Sequence, residues 1–236
     1  MSEKVYPIAE VFSEVQGEGL YQGVLMTFIR LAGCNVGKPF PKDRYEGEKA
    51  LPIYTECCTA FSGVQFECDT DYRVKEKLAI SQIIDRIPSD IKHVCLTGGE
   101  PMIHDLAPLA RALLVKKKMI HLETSGTKLL YEAFGSLIFT QGEFWLTVSP
   151  KWQYQSQMII AANEVKLLVD AGFDDSKLPT CILTHPLVWI HPINYERSVN
   201  VDNVKKVREL QKKHPDWRIG LQFHKVIESF IGERVR

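Results

Sequence analysis

The feature that most constrains this chain is an alternation of short apolar runs with amphipathic stretches of helical period. MTFIRLA (26–32), HVCLT (93–97), MIHLE (119–123), FWLTV (144–148), VKLLV (165–169), LVWIH (187–191) and RIGLQ (218–222) have strand length, and several are nearly apolar throughout. Strands buried on both faces read this way. Helical patterns lie between them. Ser81 stands where it can cap a helix carrying Ile83, Ile84 and Ile87, which Pro88 stops. Ile103, Leu106, Ala107, Ala110, Leu113 and Leu114 form a second stripe. A third helix starts near Asn200, shows Val201, Val204, Val207 and Leu210, and ends before Pro215. Strands alternating with helices predict an α/β fold with a largely parallel sheet, either open or closed into a barrel. In both architectures chemistry gathers at the carboxyl ends of the strands. No repeat or flexible linker divides the 236 residues, so one domain spanning 1–236 is expected.

Lys plus Arg (29) equals Asp plus Glu (29). That balance argues against an extended phosphate-binding surface and against nucleic acid as a direct partner. The start, MSEKVYPIAE, lacks the apolar core of a signal peptide, and no uncharged apolar run reaches the ~18 residues of a membrane span. The expectation is a cytoplasmic protein with no membrane partner. Six Cys in that setting are ligands, catalytic groups or core residues rather than disulfides.

Residues 35–72 break the rhythm, with no long periodic segment. Cys34 closes the first strong strand, and Cys57, Cys58 and Cys68 follow across this loop. Thiolates gathered there suit zinc or an iron–sulfur cluster, since both favour sulfur ligands. The spacing fits no common zinc pattern, and inert loop thiols are the competing account. Cys95 and Cys181 sit inside apolar runs and read as core residues.

Two glycine loops stand out. QGEGLYQG (16–23) resembles a dinucleotide fingerprint, but its third Gly is one position late and a strand follows. Hairpin glycines explain it, and Gln16 and Glu18 beside open backbone can serve a polar small molecule. TGGEP (97–101) ends a strand, where missing side chains let a ligand approach the backbone; a plain strand–helix turn is the alternative. Glu123, Thr124 and Ser125 end the next strand, and Ser149, Pro150 and Lys151 the one after. Glu164 and Lys166 flank Val165 and should share one face. Polar residues at successive strand ends imply a common mouth. Lys116, Lys117 and Lys118 read as cations at a helix carboxyl end. Lys205, Lys206, Lys212 and Lys213 read as a solvated helix face. His185 and His191, each before Pro, read singly as satisfied, partly buried histidines.

Together VFSEVQGEG, FIRLAGCN, CDTDY, LTGGEP, LETSGT, SPK, NEVK and LQFHK, in this order over most of the chain, resemble the radical S-adenosylmethionine enzymes. VQGEG before RLAGCN, with CDT and QFHK, narrows the resemblance to the 7-carboxy-7-deazaguanine synthase family. It implies an incomplete TIM-like barrel with residues 35–72 as a long cluster-binding insertion. It implies a lyase of queuosine-type 7-deazapurine biosynthesis, contracting 6-carboxy-5,6,7,8-tetrahydropterin to 7-carboxy-7-deazaguanine with loss of ammonia. A 4Fe–4S cluster on three Cys would bind and reductively cleave S-adenosylmethionine, and the radical released would abstract substrate hydrogen.

Residue by residue, the resemblance puts Cys34, Cys58 and Cys68 on the cluster and Thr70 on Mg²⁺. Gly99, Glu100, Ser149, Pro150, Lys151 and His191 would line S-adenosylmethionine. Gln16, Gly17, Glu18, Arg30, Thr97, Glu123 and His224 would surround the pterin. The planar fork of Arg30 suits a substrate carboxylate. A flavodoxin- or ferredoxin-like one-electron donor and a homodimer are implied as well. The chain departs from the family's C-x-x-x-C-x-x-C, with 23 residues between Cys34 and Cys58 and 9 between Cys58 and Cys68. His191-Pro192 replaces an expected Gln-Pro, and the chain continues past QFHK. Since adjacent residues of an extended segment face opposite ways, Cys57 and Cys58 should not both reach one cluster. A turn at Ser62-Gly63 would bring Cys58 near Cys68. The rival functions are an activase that installs a glycyl radical on a protein, and a non-catalytic zinc- or cluster-binding interaction protein.

Overall fold

The computed structural model describes residues 3–39, 55–68, 70–194, 200–223, 226 and 230. In chain order the strands are β1 (Val5–Val15), β2 (Leu25–Leu31), β3 (Lys38–Pro39), β4 (Thr55–Thr59), β5 (Gln65–Cys68), β6 (Glu76–Ala79), β7 (His93–Gly98), β8 (Met119–Thr124), β9 (Phe144–Val148), β10 (Glu164–Val169), β11 (Val188–Pro192) and β12 (Arg218–Ile219). The helices are α1 (Ile80–Asp85), α2 (Ala107–Val115), α3 (Leu130–Phe134), α4 (Ser156–Ala161), α5 (Thr180–Leu183) and α6 (Val201–Lys213).

A nine-stranded sheet runs β6-β1-β2-β7-β8-β9-β10-β11-β12. From β2 through β12 each neighbouring pair is parallel, while β1 pairs antiparallel with both β2 and β6. The two edges, β6 and β12, do not pair among the described residues. This is the α/β architecture of an incomplete barrel. No described helix is long and apolar enough to cross a membrane.

Alternation along the strands sorts the side chains. Val94, Leu96, Ile120, Leu122, Leu146, Val148, Val165, Leu167, Val188 and Ile190 are fully buried in one core with Ile83, Leu109, Leu113, Ile159 and Val207 of the helices. Each such aliphatic stabilises the fold by about 1.5–3 kcal/mol. The register places the remaining residues on the opposite, inner face. Phe12, Phe28 and Cys95 form one row continued by His121 and Trp145. Glu10, Arg30 and Thr97 form the next, toward the strand ends. The strand runs are therefore not apolar on both faces; the inner side is largely polar or aromatic.

Other expectations also change. Ser81 does not cap α1: the helix begins at Ile80, and the Ser81 N–H and hydroxyl both donate to Glu3. The stripe from Ile103 to Leu114 is a 3₁₀ turn at Pro101–Ile103 followed by α2. Asn200 does cap α6, accepting from the Asp202 and Asn203 N–H groups. Lys116, Lys117 and Lys118 lie beyond α2, and the Lys118 ammonium caps carbonyls of Pro88, Ser89 and Ile91. Within 35–72, β3, β4 and β5 form a three-stranded antiparallel sheet.

Candidate active site

The β1–β2 hairpin carries QGEG at its tip, and residues 16–24 fold across the inner face. Glu164 fastens this loop. Its carboxylate accepts from the Leu20 N–H (2.9 Å), Trp189 Nε1 (3.0 Å) and Thr147 Oγ1 (2.8 Å). Gly19 has φ +73°, and a Cβ there would stand 2.4 Å from Glu164 Oε1. Both the backbone conformation and the close approach demand glycine.

At the centre lies Lys166, whose side chain is 9% exposed. Its ammonium meets Glu18 Oε2 at 2.8 Å and Glu123 Oε1 at 3.5 Å. Burial alone would lower its pKa, but the carboxylates of Glu123 and Glu18 outweigh that and hold it charged above the ordinary lysine range. Gln16 Nε2 donates to Glu123 Oε1 (3.2 Å) and Thr97 Oγ1 to Glu123 Oε2 (3.2 Å). Gln16, Glu18, Thr97 and Glu123 thus converge. Lys166, placed by sequence only on a shared face with Glu164, is the group that organises them. The Gly17 carbonyl accepts from the Phe223 N–H (2.9 Å), which brings the carboxyl-terminal segment against the same loop. His224 lies outside the described residues.

Arg30 stands one strand over from this cluster. Its Nε is buried without a hydrogen bond and lies 3.5 Å from Glu10 Oε2, and its guanidinium lies 5.6 Å from the Phe12 ring centroid. Glu10 escaped the sequence reading. It belongs to a string of charges with Lys75 (3.9 Å) and, through Lys75, Asp71 (3.3 Å).

The TGGEP loop is shaped by the chain itself. A Cβ on Gly98, at φ +150°, would fall 2.1 Å from the Leu31 carbonyl oxygen, and one on Gly99 would fall 2.3 Å from the Gly33 carbonyl oxygen and 2.7 Å from Cys34 Cβ. The missing side chains admit the segment leading to Cys34. Glu100 is fully buried. It accepts from the Met102 N–H (3.1 Å), Thr124 Oγ1 (2.6 Å), and the N–H (2.8 Å) and hydroxyl of Ser125. Glu100 ties the β7 loop to the β8 end.

Three cysteines, Cys34, Cys58 and Cys68, reach this mouth from separate segments, and Cys34 and Cys68 both influence Cys58 electrostatically. Cys34 Sγ accepts from the Val36 and Gly37 N–H groups, both at 3.4 Å. Thr70 lies beyond the end of β5, two residues before Tyr72, whose carbonyl accepts the Gly33 N–H (2.8 Å) beside Cys34. Cys58 and Cys68 come from β4 and β5, whose turn at 60–63 is closed by the Gly63 N–H donating to the Ala60 carbonyl. Burial pushes the Cys58 thiol up to about 11; the Lys151 ammonium opposes this, and Cys68 and Cys34 add to it. Lys151 in turn donates to the Ser149 carbonyl (3.0 Å) and hydroxyl (2.8 Å). No three His, Cys, Asp or Glu among the described residues converge on a single ion. A cubane cluster asks for something else, thiolates at separate corners, and three separated thiols beside an ammonium fit that donor set. The Cys57 side chain lies outside the described residues. Cys95 is fully buried and Cys181 packs on the core.

At the mouth, Ser149 is half-buried and Pro150 buried. His191 is 4% exposed on β11, with Nε2 buried and unpartnered. A Cβ on Gly220 would lie 2.1 Å from that nitrogen. Burial lowers the His191 pKa against the pull of Glu18, so the ring is neutral.

Below the mouth, Tyr21 plugs the inner face, with its ring centroid 4.6 Å from His121 and 5.1 Å from Trp145. His121 Nε2 and His93 Nδ1 share a hydrogen bond of 2.9 Å. Burial, with His93 adding, lowers the His121 pKa from 6.5 to about 3. The unfolded chain therefore binds a proton that the folded one refuses. Stability from this site is complete above pH 6.5 and is lost as pH falls toward 3. His121→Gln should remove on the order of 2–4 kcal/mol of that acid sensitivity. Urea denaturation of both proteins between neutral pH and mild acid measures it; parallel pH profiles would refute the assignment.

No protein-family model matches this chain. It is similar to the 7-carboxy-7-deazaguanine synthase of Escherichia coli (strain K12), 31% identical over 234 residues that cover 94% of this chain and 98% of that protein. The synthase of the same name from Synechocystis is 29% identical over 228 residues, covering 94% and 92%. Among solved structures, the crystal structure of QueE from Escherichia coli superposes with a TM-score of 0.59 at 28% identity, covering 93% of this chain and 95% of that one.

Proposed function

The chain belongs to the 7-carboxy-7-deazaguanine synthase family, and from that premise we infer how its mouth divides the work of the reaction. The enzyme is a lyase that contracts a carboxylated tetrahydropterin to 7-carboxy-7-deazaguanine, a step toward queuosine-type 7-deazapurines. Neither rival function, glycyl-radical activase or non-catalytic binding module, finds support in the relatives.

The observation that carries the substrate reading is the convergence of Gln16, Glu18, Thr97 and Glu123 around Lys166. A pterin ring presents N–H donors along one edge. The carboxyl oxygens of Glu18 and Glu123, held in place by one buried ammonium, are matched acceptors for that edge. Arg30 would pair with the substrate carboxylate, His224 would complete the pocket, and Thr70 with substrate oxygens and water would complete a Mg²⁺ shell.

Cys34, Cys58 and Cys68 would hold a 4Fe–4S cluster beside bound S-adenosylmethionine. Together these groups would supply the hydrogen-abstracting radical chemistry. The protein's part is to position and to exclude water. The neutral His191 Nε2, unpartnered at the mouth, and the backbone of Ser149 and Pro150 would line the S-adenosylmethionine. The reading also includes a flavodoxin- or ferredoxin-like electron donor and a homodimer. The test is turnover by anaerobically reconstituted protein with reductant, S-adenosylmethionine and Mg²⁺, followed by mass detection of the deazapurine. Cleavage of S-adenosylmethionine without any deazapurine would overturn the substrate reading.

Arg30→Ala should weaken substrate binding by roughly 2–5 kcal/mol, the loss expected for one partner of a buried charge pair. Titration with the carboxylated pterin, and with an analogue lacking the carboxylate, separates the two roles of Arg30. Equal losses for both ligands would mean that Arg30 only supports Glu10.

A further inference from the structure

The wide spacing of Cys34, Cys58 and Cys68 leaves one question open in this chain: what holds Cys58 at the mouth. Sequence proximity cannot, since 23 residues separate it from Cys34 and 9 from Cys68. The β4–β5 hairpin has instead a set of tertiary fastenings at its tip. Ser62 Oγ donates to Asp170 Oδ1 at 2.6 Å. Phe61 stacks obliquely on Tyr154 and Phe173, with centroids 5.7 and 6.4 Å apart. Ala60 forms a β-bridge with Lys151, and the Trp152 N–H donates to the Thr59 carbonyl (3.4 Å).

Asp170 is itself fixed. It follows directly on β10, and its other oxygen accepts the Gly172 N–H at 2.8 Å. The next residue, Ala171, donates its N–H to Asn203 of α6 at 2.8 Å. The hairpin is thus clasped to the carboxyl end of the strand that carries Glu164 and Lys166. One rigid strand sets the position of both the substrate cluster and the thiol hairpin.

We propose that Ser62 and Asp170, with Phe61 seated against Tyr154 and Phe173, form a clasp that positions Cys58 for metal binding. Tertiary contacts do here what close spacing of ligands does elsewhere. The proposal rests on the cluster reading above for its metal arm, but its thiol arm does not. Ser62 and Asp170 are positioning residues and touch no reacting atom.

The experiment uses Ser62→Ala, Asp170→Ala and Ser62→Thr in the full chain. In metal-free protein, alkylation of Cys58 by iodoacetamide, followed by peptide mass, should quicken roughly tenfold or more in the first two variants, the scale of a lost hydrogen bond to a charged group. Cys34 should alkylate at its original rate, and Ser62→Thr should restore the Cys58 rate. In the loaded protein, iron release to a chelator should accelerate by about 10–100-fold, as for other residues that orient ligands. A Cys58 alkylation rate within twofold of the original in Ser62→Ala would overturn the clasp, and so would equal quickening at Cys34. If the unaltered protein binds no iron at all, the cluster reading fails while the alkylation result still decides the clasp.

Discussion

Lys166→Met is expected to lower kcat/KM by three orders of magnitude or more and to destabilise the fold by about 3–5 kcal/mol, the cost of breaking a buried ion pair from one side. The ammonium is nearly enclosed and stands between Glu18 and Glu123. Methionine keeps the volume but removes the charge, leaving two carboxylates in a low-dielectric pocket with nothing between them. One would take up a proton, and the other would turn away. Either response disturbs Gln16 and Thr97, which hydrogen-bond to Glu123. In the unaltered protein the raised lysine pKa keeps this contribution intact across the neutral range; it is lost only as pH rises through the alkaline range. Steady-state kinetics with varied pterin, and urea denaturation of the same variant, check both halves. Lys166→Arg should keep much of the stability while losing turnover, since a planar fork does not fit a site built for a compact ammonium. An unchanged KM in Lys166→Met would remove Lys166 from the substrate site.

Lys166 also shows how far the sequence reaches. That Glu164 and Lys166 share a face follows from strand period alone, and the structure turns both inward. That Lys166 is the hub does not follow, because its partners sit on β8 and on a loop 148 residues away. The parallel strands were legible from their runs and spacing. Strands β1 and β6 were not, because VYPIAEVFSEV carries Pro7 and charges that only the neighbouring strands make tolerable. The strands are buried on both faces as their runs imply, but the inner face is not uniformly apolar. Met26, Phe28 and Cys95 do form a small apolar floor, but higher on the same face the strands carry Arg30, Thr97 and Glu123. The motif TGGEP also serves the chain's own packing. Its glycines and Glu100 serve the approach of the Cys34 segment and the β8 end, a long-range packing demand invisible to spacing. Glu10 carries no motif, and only the β1–β2 register places it beside Arg30.

Cys58→Ala is expected to abolish cluster retention and all cleavage of S-adenosylmethionine, while Cys57→Ala retains both. Successive residues of a regular strand face opposite sides, so one of these neighbours is expected to look toward Cys34 and Cys68. Cys58 is the one proposed here. It pairs with Phe66 across the β4–β5 hairpin, lies buried, and stands within electrostatic reach of Lys151, Cys68 and Cys34. Its thiol, pushed up to about 11 by burial, stays protonated at neutral pH in the metal-free protein. Metal must displace that proton, so cluster assembly should speed up as pH rises toward the thiol's range. The loss on removing Cys58 should exceed the ~10–100-fold that an orienting partner costs, because a ligand itself is gone. Iron and sulfide content with the visible spectrum, read before and after S-adenosylmethionine, distinguishes the variants. The reverse pattern would exchange the two thiols and leave the mechanism standing. Full cluster content in both single variants calls for the double variant: loss there means that either thiol suffices, and retention means that neither is a ligand and the hairpin serves the fold alone.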